Sequence, residues 1–163
     1  MNTKGFTLLE VIAAIFILTI GVGSSFILIS QTLSAVSLVR ERLIASYLVQ
    51  EGIEIVRNIR DTNWLEQRTA STTPWDDGLD VGNWQADYLS QQLNQTYASS
   101  SLNIDTSGFY SYSPGSPTFF KRKISIGKPS TSTIRVEVNV DWTEKGRSHN
   151  LESLEYLTNW YEK

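Results

Sequence analysis

The feature that most constrains this chain is an uncharged run of 29 residues, from Val11 to Val39. A helix needs about 20 apolar residues to cross the hydrocarbon layer of a bilayer, which is about 30 Å thick. The first half of the run, VIAAIFILTIGVG, is densely apolar, whereas the second half mixes apolar residues with serines, Gln31 and Thr32. The run therefore predicts a membrane-spanning helix that becomes amphipathic along its length.

An acidic residue, Glu10, stands immediately before this run. A carboxylate within lipid costs several kcal/mol unless it meets a partner. Two ordinary interpretations leave this acid unexplained: a secretory signal peptide cleaved within residues 32–36, and an uncleaved signal anchor.

The residues around Glu10, KGFTLLEV, resemble the type IV prepilin signal. In that signal a short basic leader ends in Gly, and Phe, apolar residues and a Glu follow. The resemblance to type IV pilins and pseudopilins implies that prepilin peptidase cleaves between Gly5 and Phe6 and that Phe6 is N-methylated. It also implies that Glu10 pairs with the N-terminal ammonium of a neighbouring subunit, which sets subunit register in a filament. The plainer alternative is that Glu10 reaches the lipid headgroups.

Helical periodicity continues beyond the membrane-length run, with apolar or aromatic residues at positions 36, 39, 43 and 47 and at 44, 48, 55 and 59. We therefore predict one helix from Phe6 to about Arg60, ended by turn-forming residues at 61–63. The predicted segments are a leader (1–5), a transmembrane or filament-core half of the helix (6–29), an amphipathic half (30–61), a variable loop region (62–101) and an antiparallel sheet (102–163).

Beyond residue 102, apolar and polar residues alternate, as they do in strands with one buried face. Phe119–Ile126 places residues 120, 124 and 126 on one face, and Thr133–Trp142 places 134, 136, 138, 140 and 142 on one face. Residues 148–160 suit a strand or a short helix, and we favour a last strand. The predicted fold class is α+β. A long N-terminal helix, membrane-spanning in its first half, packs on a C-terminal antiparallel β-meander, as in type IV pilins.

Three groups of residues are candidate binding sites. Asp76, Asp77, Asp80 and Asn83 are weak calcium candidates, but their spacing does not match a calcium loop and a solvated turn is favoured. The run 121–123, Lys-Arg-Lys, suits either a nucleic-acid contact or a charged edge strand. The five tryptophans suit carbohydrate adhesion or, more often, packing. We expect no metal and no cofactor.

Composition argues against most enzyme classes and against nucleic acid as a partner. The chain has no cysteine and one histidine, His149, so thiolate chemistry is excluded and His-dependent catalysis has little support. No G-x-S-x-G nucleophile elbow is present. The net charge of −3 differs from the basic balance of nucleic-acid binders.

The resemblance implies a minor type IV pilin or pseudopilin without enzymatic activity. Lys4 favours a cytoplasmic N-terminus, so the precursor would be a single-pass cytoplasmic-membrane protein with an extracytoplasmic C-terminal domain. It would then enter a pilus or pseudopilus at the cell surface or envelope. The implied partners are other subunits, prepilin peptidase, an inner-membrane assembly platform and the lipid bilayer.

The role of such a filament stays undecided among adhesion, motility, type II secretion and DNA uptake. The alternative from another class is a membrane-anchored extracytoplasmic binding or adhesion domain that does not polymerise.

Overall fold

The computed structural model describes residue 5, residues 7–69 and residues 72–160. Within these residues one helix precedes seven strands. The elements are α1 (Leu8–Arg68), β1 (Gly82–Trp84), β2 (Asn103–Ile104), β3 (Tyr110–Ser111), β4 (Ser116–Pro117), β5 (Lys121–Ser130), β6 (Thr133–Glu144) and β7 (Arg147–Thr158). The chain divides into two compact units, residues 1–41 and residues 42–163.

The first unit contains the apolar part of α1. Its most apolar window of 18 residues has a mean hydropathy of 2.5, and none of that window is buried. Among the described residues, α1 is the helix that is long and apolar enough, by length and composition, to cross a membrane.

Five hydroxyl groups in this apolar stretch are hydrogen-bonded within the helix itself. Ser24 and Ser25 donate to the carbonyls of Ile20 and Gly21 at 2.8 and 2.9 Å. Thr19, Thr32 and Ser34 donate in the same way to carbonyls one turn earlier. Because a polar group without a partner is costly in hydrocarbon, these bonds make the serine-rich half of the run compatible with an apolar environment.

The second unit is built on an antiparallel sheet with strand order β1-β5-β6-β7. Ile124 pairs with Val138 between β5 and β6, and Val140 pairs with Leu151 between β6 and β7. The predicted meander of three strands is therefore confirmed, including the last strand. Two elements were not predicted: β1, which joins the sheet from the loop region, and a small separate sheet of order β3-β2-β4.

The core lies between the second half of α1 and one face of this sheet. The alternation predicted for β5 and β6 is confirmed, since every second residue is buried over 122–126 of β5 and over 134–142 of β6. The buried residues of α1 recur at helical spacing and meet this face. They include Ala45, Leu48, Val49, Ile53, Val56 and Ile59. Each large apolar side chain buried in this way contributes about 1.5–3 kcal/mol.

Gly52 marks a close approach of α1 to the sheet. A Cβ atom built on Gly52 would lie 2.7 Å from Cγ1 of Val138, which is shorter than real Cβ contacts. Glycine is unfavourable inside a helix by about 1 kcal/mol relative to alanine. Close packing against β6 therefore explains why this position lacks a side chain.

A charged contact joins the turn of α1 that follows Gly52 to β7, the edge strand of the sheet. Nη2 of Arg57 donates to both carboxylate oxygens of Glu155 on β7, each at 2.8 Å, and Nη1 contacts Glu54. The hydrogen bond that Arg57 donates to Glu155 raises the pKa of Arg57, although burial opposes the shift. This pair positions α1 over β7.

The helix ends at Arg68, so the predicted end near Arg60 is wrong. Asn63 and Trp64 are buried here, although the turn propensity of residues 61–63 favoured a helix end. The Asn63 side chain donates to the carbonyls of Trp75 and Asp77 at 3.1 and 2.9 Å. The Trp64 ring meets the Trp160 ring at 4.8 Å. These contacts stabilise two further helical turns against the local preference.

The outer face of β7 carries apolar residues. Leu154 and Tyr156 are 49% and 57% exposed, while Leu157 is buried. The alternation of Leu154 and Tyr156 therefore indicates a strand correctly, but these two residues point away from the core.

Candidate functional site

The N-terminal segment around Glu10 forms a capped helix start. The backbone N–H of Glu10 donates to Oγ1 of Thr7 at 3.3 Å, and the N–H of Val11 donates to the Thr7 carbonyl at 3.2 Å. Thr7 is thus the N-cap, and Glu10 is at the third helical position, as in a capping box. The sequence T-L-L-E, residues 7–10, contains this capping signal.

Glu10 is exposed and is the acidic residue of the first helical turn. A carboxylate there interacts favourably with the helix dipole, by about 0.3–1 kcal/mol. This is less than the several kcal/mol that a charge costs in lipid, so capping alone does not compensate for an acid at depth. The geometry leaves the Glu10 carboxylate available to a cation from outside the chain.

The predicted cleavage junction lies just before this cap. Gly5 is exposed, and among the described residues that are not its chain neighbours none comes within 4 Å of the position that a Cβ would occupy. Phe6, the predicted methylated residue, lies outside the described residues. The junction therefore precedes the helix, where the backbone of Gly5 is open to another molecule.

The calcium candidates serve the fold of their loop. Asp76 pairs with Lys128 at 2.6 Å. The Asp80 carbonyl accepts from Trp84 at 2.9 Å, and Asn83 accepts from Ser125 at 2.8 Å. Over residues 5, 7–69 and 72–160, no group of three or more His, Cys, Asp or Glu side chains is placed to hold a metal ion.

Arg122 is the residue whose setting differs most from the sequence interpretation. It belongs to the basic run 121–123, which suits a nucleic-acid contact or a charged edge strand, but its side chain is 0% exposed. Its guanidinium donates to the Leu48 carbonyl at 3.0 Å and to the Ala86 carbonyl, and pairs with Glu51 at 3.1 Å. Arg122 therefore joins α1, β5 and the loop after β1 at one point.

The strand periodicity contains the signal for this burial. Arg122 has the same phase as Phe120 and Ile124, which face the core. A buried ion pair contributes little net stability because of desolvation, but removal of one partner is costly. Nε of Arg122 and Oε1 of Glu51 are buried without a hydrogen-bond partner. The pair therefore adds little net stability, although the loss of either partner would be costly.

The comparison with known families decides the identity of the N-terminal segment. Residues 1–26 match the family model described as the prokaryotic N-terminal methylation motif. The chain carries a type IV prepilin signal. No curated protein and no solved structure matches the chain.

The prepilin signal has direct consequences for processing. It indicates a type IV pilin- or pseudopilin-type precursor that prepilin peptidase processes, and it is the signal of a family of structural subunits. Pilin subunits and prepilin peptidase are the general partners of such a precursor. The prepilin signal and the apolar helix together indicate membrane anchoring and pilus assembly.

The fold agrees with the prepilin signal. One long N-terminal helix followed by a C-terminal antiparallel sheet is the α+β layout of a type IV pilin-like fold, as the sequence predicted.

Proposed function

We propose that this chain is a minor type IV pilin or pseudopilin subunit. Prepilin peptidase cleaves it after Gly5 and methylates Phe6, and residues 6–29 then hold it in the cytoplasmic membrane. Residues 42–163 lie on the extracytoplasmic side, and the assembly platform moves the subunit into a filament. Its function in that filament is structural rather than catalytic.

The observation that carries this proposal is the methylation motif at residues 1–26 in a chain whose α1 begins at once with an apolar stretch. The α+β fold supports it, because α1 extends from an apolar, unburied stretch to a part that packs on a sheet. The hydroxyls of residues 19–34 add further support, since their intrahelical bonds suit an apolar environment.

The proposed role of Glu10 is to pair with the N-terminal ammonium of a neighbouring subunit. The carboxylate is exposed at the first turn of α1. Opposite charges about 4 Å apart attract by about 4 kcal/mol at an effective dielectric constant of about 20. Such a pair would offset the cost of both charges and favour one register between adjacent subunits.

Mass spectrometry of the N-terminal peptide, isolated from native membranes, tests the processing step. We expect a mature chain that begins at Phe6 and carries a methyl group on its amine. A chain that begins at Met1 would contradict cleavage, and one that begins near Val36 would indicate a secretory signal peptide.

The variant Glu10→Leu tests the register role. We expect normal membrane insertion and at least about a tenfold fall in incorporation into sheared filaments, because a tenfold change requires only about 1.4 kcal/mol of lost pairing. Thr19→Leu is the matched control, since it replaces another polar residue of α1. The Thr19 hydroxyl donates to the Phe16 carbonyl within the same helix. Equal incorporation of the two variants would show that Glu10 has no register role.

Cross-linking between subunits separates this proposal from a membrane-anchored domain that never polymerises. Cysteines introduced at Val11 and Ile20 have no native cysteine to compete with them. Ladders of cross-linked subunits are expected in a filament, whereas monomers alone would favour the anchored domain.

A further inference from the structure

Two adjoining cavities lie beside the loop that follows β1. The first has a volume of about 480 Å³ and lies between α1 and the loop, with Asn58 and Glu66 on the helix side. The second, of about 540 Å³, lies on the other side of the loop beside Asn94 and Gln95. Ser90, Gln91 and Gln92 line both cavities. We call the two cavities together the amide groove.

The lining of the amide groove is polar, and its charges are all negative. Side-chain amides and hydroxyls dominate, and the acidic lining residues are Glu66 and Asp77 in the first cavity and Asp87 in the second. Among the described residues, no lysine or arginine lines either cavity. Carboxylates without nearby cations repel phosphates, sulfates and other anions, so an anionic ligand does not fit.

The amide groove has unused hydrogen-bonding groups. The exposed side chains of Gln91 and Gln92 make no hydrogen bond to another described residue. Each side-chain amide carries two donor hydrogens and an acceptor oxygen. Small-molecule sites usually have volumes of about 300–1,000 Å³ and mostly apolar linings with a few polar groups. A lining rich in amides instead suits a ligand that is itself covered with hydroxyl groups.

Internal hydrogen bonds hold the groove in shape. The buried carboxylate of Asp87 accepts from the backbone of Leu89 at 3.1 Å, from Ser90 Oγ at 3.1 Å and from the backbone of Tyr112 at 2.8 Å. On the other wall, Asn63 fixes the Asp77 backbone to α1. Preorganisation of this kind lowers the entropy that ligand binding would otherwise cost.

An aromatic side chain lies at the rim of the first cavity. Tyr88 lines the cavity and remains 44% exposed. Its ring packs against Phe109 at 5.3 Å, which supports the ring from one side. An exposed ring of this kind combines an apolar surface with a hydroxyl, so it can stack on the apolar face of a sugar ring.

We propose that the amide groove binds a neutral oligosaccharide. Its amides and carboxylates would bond the sugar hydroxyls, and Tyr88 would stack on one sugar ring. When these polar groups lose their hydrogen bonds to water, a polyhydroxylated ligand offers new hydrogen bonds in exchange. An apolar ligand would leave the same groups without partners. The proposal gives the subunit a recognition surface, and it does not depend on filament assembly.

The test uses the full chain in micelles of a zwitterionic detergent without a sugar headgroup. Maltotriose, cellotriose and triacetylchitotriose serve as neutral probes, and 3′-sialyllactose serves as the anionic probe. Saturation-transfer NMR and titration calorimetry measure binding. We expect at least one neutral probe to bind with a Kd of about 1 mM or below, and sialyllactose to bind at least about tenfold more weakly.

Variants locate the binding. We expect Tyr88→Ala and Gln91→Ala each to raise the Kd of the neutral probe that binds by about tenfold or more. Tyr156→Ala and Gln50→Ala are the matched controls, because they remove exposed residues of the same types outside the groove. Circular dichroism verifies that each variant is folded.

Three results would overturn the proposal: no binding of any neutral probe, equal binding of sialyllactose, or equal loss in the groove and control variants. None of them bears on cleavage at Gly5 or on the filament experiments.

Discussion

The substitution Gly52→Ala tests whether close contact between α1 and β6 determines how the helix packs on the sheet. The added methyl group would lie 2.7 Å from Cγ1 and 3.2 Å from Cγ2 of Val138, and 3.2 Å from Cδ of Arg122. Val138 and Arg122 are both 0% exposed, so neither side chain has open space into which it can move. Either α1 must shift away from the sheet or the side chains must leave their preferred rotamers.

Two opposing effects set the size of the change. Alanine is more favourable than glycine in a helix by about 1 kcal/mol. An extra methyl group in a filled core costs about 1–3 kcal/mol, and the upper part of this range applies because Val138 is β-branched and stiff. We therefore expect Gly52→Ala to lower the free energy of unfolding by about 1–2 kcal/mol.

A compensating substitution isolates the steric cause. Val138→Ala alone should cost about 2–3 kcal/mol through lost burial and the cavity that it leaves. In the double variant, the methyl group of Ala at position 52 fills part of that cavity. The double variant should then lose about 1–2 kcal/mol less free energy of unfolding than the sum of the losses in the two single variants.

The assay is denaturant unfolding of the full chain in detergent micelles. Tryptophan fluorescence reports on the second unit, since all five tryptophans lie at positions 64–160. Circular dichroism follows the helix. Gly21→Ala is the control, because among the described residues nothing beyond the local helix backbone and the chain neighbours lies within 4 Å of a Cβ at that helical position. If Gly52→Ala proves as harmless as Gly21→Ala, or if the double variant is additive, the close-contact explanation is refuted.

Two further predictions concern the polar part of the core. Arg122→Ala should lower the free energy of unfolding by about 3–5 kcal/mol, because it leaves the Glu51 carboxylate and the Ala86 carbonyl without their partner. Denaturant titration compares this variant with Arg147→Ala, which removes an exposed arginine of β7. Similar losses in the free energy of unfolding of the two variants would contradict a special role of the buried arginine. Burial raises the pKa of Tyr112 to about 12 from its usual value of 10. Between pH 10 and pH 12 the Tyr112 phenol therefore stays protonated in the folded state but loses its proton in the unfolded state. The contribution of this phenol to the free energy of unfolding is complete below pH 10 and declines as the pH rises towards 12. The difference in unfolding midpoint between the native chain and Tyr112→Phe should fall across that range, and a constant difference would contradict the shift.

The sequence alone determined the features that depend on local periodicity and short motifs. The uncharged run predicted the apolar helix, and residues 4–11 predicted the prepilin signal that the family model also matches. Alternation in β5 and β6 predicted the apolar side chains that are buried on these strands. These predictions succeed because a repeat of two or 3.6 residues places all the apolar side chains of one element on one face.

The three-dimensional structure alone decided where elements end and which distant residues meet. The contacts of Trp64 and Asn63 carry α1 to Arg68, although the local sequence favours a turn. Arg122 reads as part of a basic run, yet three partners distant in sequence hold it in the core.

The amide groove is also a product of tertiary structure. Asn58 on α1 and Gln91 on the loop are 33 positions apart in the sequence and share no repeat. They line one cavity in a structure where Asn63 of α1 donates to the Asp77 backbone and Asp87 fixes the turn just before Gln91. Local periodicity reports which face of an element is buried, but it carries no information on which other segment will cover that face, because that choice depends on the packing of the whole core.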